Sequence, residues 1–218
     1  MSKKLCSFIK SILAIVLFLF FYVIFNSIAA LVTKDVTIIQ YLNNFSQLLL
    51  SLLLSLLFFK ELKNEFKDVK KINFKKHIFI FIIIFILTNI ITSLLEKQLG
   101  FLPQNEIAAR NYVLKYPING IISSVFLAPY YEEILIRLNF KKVFNNKKIF
   151  ILTTGSFFAL MHMLTNLESY AIYYLIPYAL MGYTLSYIYY DSNTVFSSIL
   201  FHALNNLIQI ILILGGII

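Results

Sequence analysis

The chain has 218 residues, of which 60% are hydrophobic and only 13% charged, with a formal net charge of +9. A soluble domain is closer to half apolar and a quarter charged, so an ordinary globular protein is excluded. The surplus lies in Leu/Ile/Phe blocks long enough to cross about 30 Å of hydrocarbon, without the alternation of a β-barrel. The expected class is an all-α, polytopic transmembrane helical bundle of about seven spans, forming one integral membrane domain over residues 1–218.

The N-terminus, Met1-Ser2-Lys3-Lys4, has the charge of a signal peptide, and Ile28-Ala29-Ala30 resembles a cleavage site. The apolar stretch that follows is longer than a signal core, so an uncleaved first span over about Ser11–Val32 is expected. Cys6 is the sole cysteine, which leaves no internal disulfide. After a turn at Lys34-Asp35, a second span covers about Val36–Phe59, polar at first (Gln40, Asn43, Asn44, Ser46, Gln47). A lysine-dense segment, Lys60–Lys76, precedes a third span at about His77–Leu95. Glu96–Tyr116 is a polar connection with one interfacial turn around Glu106–Leu114. The fourth span starts near Ile118 and continues as an amphipathic helix toward Phe144, before a turn at Asn145-Asn146. The remaining spans cover about Lys148–Met163, Tyr170–Tyr190 and Val195–Ile218.

Lysine and arginine set orientation. They crowd at Lys3–Lys10, Lys60–Lys76 and Lys141–Lys148, with only Lys34, Lys97, Arg110 and Lys115 at the opposite ends of the spans. The N-terminus is therefore expected in the cytoplasm of a multi-pass cell-membrane protein. The positive charge reads as topology, with contact to anionic lipid as a lesser role, and not as nucleic-acid binding.

Three spans carry ionisable groups, each costly in hydrocarbon and so a functional-site candidate. They are Glu132, Glu133 and Arg137 in the fourth, His162 in the fifth and His202 in the seventh. At 1.5 Å per residue these lie about 18, 21 and 10 Å from the lysine-rich side, so one cavity open to the cytoplasm is expected. Glu133 and Arg137 are i,i+4 and share a face, while Glu132 is rotated by about 100°. His202 and Asn206 share a face, as do Phe158 and His162, which are placed to stack.

Each feature has a plain structural reading. Glu133–Arg137 reads as an ion pair, and a lone histidine, Asn205 or Asn206 as interhelical hydrogen bonding. Asn43–Gln47 reads as structural. Glu96, Glu106, Glu168 and Asp191 read as solvated loop residues, and His77 as interfacial. Taken together, a carboxylate and a histidine can hold and deprotonate water, and a histidine with an asparagine can stabilise an oxyanion. The same residue types suit zinc, although no H-E-x-x-H helix is present. A transporter is the competing class, but inverted repeats are absent.

In E-E-x-x-x-R, F-x-x-x-H and H-x-x-x-N, on separate helices and in that order, the chain resembles the CAAX-protease and bacteriocin-processing family of intramembrane glutamic endopeptidases, related to type II prenyl-protein proteases. The residues are Glu132-Glu133…Arg137, Phe158…His162 and His202…Asn206, within 128–206 and preceded by Ala128-Pro129. Ile136 and Leu138 depart from the family's Phe and Gly around the arginine. The resemblance implies Glu132 as base, with His162 orienting the water. It implies His202 and Asn206 as the oxyanion site, with Glu133, Arg137 and Phe158 in support. The implied substrate is a membrane-associated peptide or protein, with no cofactor assigned. The family also has members linked to bacteriocin self-immunity, which makes a non-catalytic immunity or regulatory protein the alternative.

Overall fold

The computed structural model describes residues 3–144, 146–163 and 169–217. The expected turn residue Asn145, the loop residue Glu168 and the last residue of the seventh span, Ile218, lie outside them. Among the described residues the fold is all helical. α1 covers residues 3–32, with a π-helical turn at Phe20–Phe25, and α2 is Val36–Leu57. Asp35 caps α2, its carboxylate accepting from the amides of Thr37 and Ile38. A short α3, Phe59–Phe66, and a 3₁₀ turn, Lys67–Lys71, lead into α4, Phe74–Leu99, which ends at Gly100 with φ 79°. That left-handed C-cap suits glycine. α5 is Gln104–Lys115, a full helix where one turn is expected. α6 covers residues 117–138, α7 is Lys147–Met163, α8 is Leu175–Ser192 and α9 is Val195–Leu214.

The count of seven spans is not reproduced. Among the described residues three helices are long and apolar enough to cross a membrane: Ser7–Val32, Phe74–Leu99 and Val195–Leu214. A fourth, α2, qualifies only together with the segment that follows it, from which it is bent by 81°. Its polar opening stretch dilutes its apolarity. α6, α7 and α8 are interrupted, short or rich in tyrosine and serine, and they form the interior of the bundle.

The arrangement inverts that of a soluble protein. Phe79, Leu56 and Ile118 are 65%, 72% and 73% exposed, whereas Glu133, Arg137, Thr154, Ser186 and Ser197 are fully buried. Apolar side chains outside and hydrogen-bonded polar ones inside is the stable pattern in hydrocarbon. α7 and α8 approach closely at Gly155 and Gly182. A Cβ at Gly182 would come within 2.6 Å of the Gly155 carbonyl oxygen, so backbone meets backbone there.

α6 is not a regular helix. It has two π-helical stretches, Ile122–Leu127 and Ile134–Leu138, on either side of Ala128–Glu133. Pro129 has no amide hydrogen for the carbonyl one turn back, and the wider register just upstream accommodates that gap. Helical backbone ends at Phe140, a turn short of the expected Phe144.

The polar patch of α2 behaves as the structural reading has it. Gln47 accepts from Ser123 Oγ at 3.0 Å, and Asn44 accepts from Tyr112 and donates to the Asn119 carbonyl. Two expectations at the lysine-rich end change. His77 is fully buried, not interfacial, and its Nε2 lies 2.9 Å from Asp191. Asp191 is exposed, as expected, but sits in the last turn of α8 instead of a loop, and it also accepts from Lys76 at 2.8 Å. The chain reversals bring these groups together from 115 positions apart, beyond reach of any local pattern.

Candidate functional site

The site is built on α6, α7, α8 and α9. Glu133 Oε1 accepts from Arg137 Nη1 at 2.8 Å, one helical turn on, as the i,i+4 spacing predicts. The same oxygen lies 2.9 Å from His202 Nδ1 on α9. Arg137 spends its other donors on α8, giving Nη2 to the Gly182 carbonyl at 3.1 Å and Nε to Ser186 Oγ at 3.3 Å. Thr154 of α7 donates to the same Ser186 hydroxyl at 2.8 Å. One buried network thus crosslinks four helices. The ion pair has no exposed surface, and Arg137 and His202 both engage Glu133 Oε1, while Glu133 Oε2 is buried without a hydrogen-bond partner among the described residues.

Glu132 takes no part in that pairing. Its side chain keeps 21% of its surface exposed, and its Oε2 stands 4.0 Å from His202 Nε2. The two nitrogens of His202 therefore face two different carboxylates. Tyr22 and Tyr131 lie close enough to Glu132 to feel its charge.

Phe158 holds the aromatic side of the site. Its ring is 4.3 Å from that of His162, in contact but tilted by 37° where a stack is expected, and 5.4 Å edge-on from that of His202. The Arg137 guanidinium sits 4.7 Å over its face, a cation–π contact. His162 Nδ1 donates to the Phe158 carbonyl at 2.9 Å, which leaves Nε2 as the lone-pair nitrogen in the neutral ring. The His162 ring also lies 5.0 Å from that of Tyr178.

Asn206 gives one amide hydrogen to the Ser124 carbonyl at 2.7 Å, inside the first π-helical stretch of α6. Its carbonyl accepts from Asn205 at 3.0 Å. The helix-joining reading of Asn206 therefore holds, and a second N–H remains on the amide.

A cavity of about 450 Å³ adjoins these groups, within the range of ligand pockets. His162, His202, Asn205 and Asn206 line it, but Glu132 does not. Glu132 stands behind His202, not on the cavity wall as expected. The rest of the wall comes from Thr88–Glu96 of α4, Asn105–Val113 of α5, the start of α8 and the later turns of α9. Those parts lie at the end of the bundle remote from Lys60–Lys76, whereas depth counting expected the cavity toward the lysine-rich end. Depth along single helices fixes how far in a residue lies, not which way the space beside it opens.

The α4 wall is the part of the site that residue-by-residue reading missed. Thr88, Asn89, Thr92, Ser93 and Glu96 form one polar stripe at helical spacing in an otherwise apolar span. The same periodicity test applied to polar residues would have found it. Gln209 of α9 donates to Asn89 across the cavity at 3.0 Å. Glu96 and Glu106, expected as solvated loop residues, lie on α4 and α5 and line the cavity. Among the described residues no three His, Cys, Asp or Glu side chains converge as a metal site.

Fold and site define a helical membrane protein with a buried Glu–Arg–His network beside a polar cavity. Residues 114–208, the stretch that carries the site, match the family model described as Type II CAAX prenyl endopeptidase Rce1-like. The match contains Glu132, Glu133, Arg137, Phe158, His162, His202 and Asn206, but not the α4 wall. No curated protein and no solved structure gives a significant match to the chain.

Proposed function

We propose that the protein is an intramembrane endopeptidase that hydrolyses a peptide bond of a membrane-associated peptide or protein with a glutamate-activated water. The observation that carries this reading is the double engagement of His202, bonded through Nδ1 to Glu133 and facing Glu132 through Nε2 at 4.0 Å. Glu132 takes the water's proton as the oxygen attacks the carbonyl carbon, and His162 Nε2 orients the water. The oxyanion receives hydrogen bonds from His202, when its Nε2 is protonated, and from the second N–H of Asn206. The proton held by Glu132 then passes to the leaving amine as the C–N bond breaks. Glu133 and Arg137 keep His202 in register, and no metal or cofactor enters these steps.

The lysine asymmetry supports an N-terminus in the cytoplasm of a multi-pass cell-membrane protein. On that orientation the cavity opens away from the cytoplasm.

The test compares new protein termini in membranes of cells carrying wild type, Glu132→Gln or His202→Ala at equal expression. Termini present only with wild type are expected. Identical termini in all three would reject the mechanism and leave the non-catalytic immunity or regulatory reading.

A further inference from the structure

We infer that the outer face of α3 and the turn after it is a docking surface for the headgroups of anionic phospholipids. The segment 59–71 is bent by 81° from α2. With α2 upright in a bilayer, it lies nearly in the membrane plane, at the level of the headgroups.

Its two faces are chemically sorted. The acidic side chains point inward and are bound to the protein. Glu61 accepts from Lys10 at 3.1 Å and Lys142 at 2.8 Å. Glu65 accepts from Tyr189 Oη at 2.9 Å and from the Val195 amide at 2.8 Å, capping α9, the helix that carries His202. Asp68 accepts from Lys71 and from Asn193. Leu62 is buried on the same side.

The outward side holds Lys60, Lys63, Lys67 and Lys70, all exposed and, among the described residues, without an acidic partner. Phe59 and Phe66, 60% and 65% exposed, stand among them. Topology alone asks for lysines near this end. It does not ask for every acid to be turned inward, or for exposed phenylalanines between cations on a helix laid flat. Phenylalanine entering the acyl boundary beside lysine at phosphate level is the chemistry of an interfacial helix on an anionic surface. A soluble acidic partner would match the lysines but leave the phenylalanines in water.

The test measures binding of phosphatidylglycerol and phosphatidylcholine to the detergent-purified full chain by native mass spectrometry, at fixed ionic strength. Wild type is expected to prefer phosphatidylglycerol, less so as salt rises. Each lysine changed to glutamine in Lys60, Lys63, Lys67 and Lys70 is expected to weaken that binding about fivefold. The triple variant K34Q/K97Q/K115Q, at the other end of the bundle, is expected to leave it unchanged. Equal binding of the two lipids by wild type would overturn the inference, as would equal losses in both variant sets. Should the quadruple variant not fold, the pair K63Q/K67Q makes the same comparison. None of these outcomes depends on proteolysis.

Discussion

Glu133 Oε1 lies 2.9 Å from His202 Nδ1 across 69 positions of sequence, and the same oxygen holds Arg137 at 2.8 Å. One carboxylate oxygen thus ties α6 to α9 and, through the guanidinium, to α8. Glu132 is left to face the other nitrogen of His202. The division between neighbouring acids follows from helix geometry, because consecutive residues point about 100° apart.

Removing the cation should be costlier than removing the pair. Arg137→Met strands Glu133 in a fully buried site, and a loss of about 3–5 kcal/mol is expected from breaking such a pair. The double variant Arg137→Met/Glu133→Gln should recover a large part of that. Denaturation midpoints in one detergent check the order.

Gly182→Ala places a Cβ 2.6 Å from the Gly155 carbonyl oxygen, with no flexible side chain to give way. α7 and α8 must separate, at a cost of about 1–3 kcal/mol for overpacking. Since Gly182 also accepts from Arg137, His202 should become more mobile, visible as broadening of its imidazole resonances.

On the proposed mechanism, Asn206→Ala removes an oxyanion donor and the tie to Ser124. A fall in kcat of about 10²–10³ with little change in KM is expected. A proportional rise in KM alone would assign Asn206 to packing or substrate binding.

Glu61 sits outside the spans. Burial raises its carboxyl, but the hydrogen bonds from Lys142 and Lys10 outweigh that and bring it below its ordinary value of 4.5. A folded-state value below the unfolded one adds stability above the unfolded value, and that stability is lost as pH falls through the folded value. Wild type should therefore melt above Glu61→Gln at neutral pH, with the gap closing below about pH 4.5. Melting curves from pH 7 to 3 test this, and a constant gap would argue against it.

The features readable in the chain were those set by local spacing. Glu133–Arg137, the Phe158–His162 ring contact and the shared face of His202 and Asn206 all depend on four-residue offsets, which a helix converts directly into contacts. The class followed from apolar runs. The span count did not, because α6, α7 and α8 sit inside the bundle, where burial by protein relaxes the need for a continuous apolar stretch. His77 shows the same limit. Beside a lysine run it reads as interfacial, yet its ring is fully buried, with Nε2 2.9 Å from Asp191 of α8.

The sequence alone determined a helical membrane protein with three ionisable elements in a fixed order, and which residues within each helix share a face. Only the tertiary structure decided that His202 stands between two carboxylates, that Asn206 is tied to a π-helical carbonyl, and that the cavity is walled by the bundle end remote from Lys60–Lys76. Those outcomes depend on how separate helices cross and on where α6 leaves regular register. Side-chain periodicity within one helix carries no information about either.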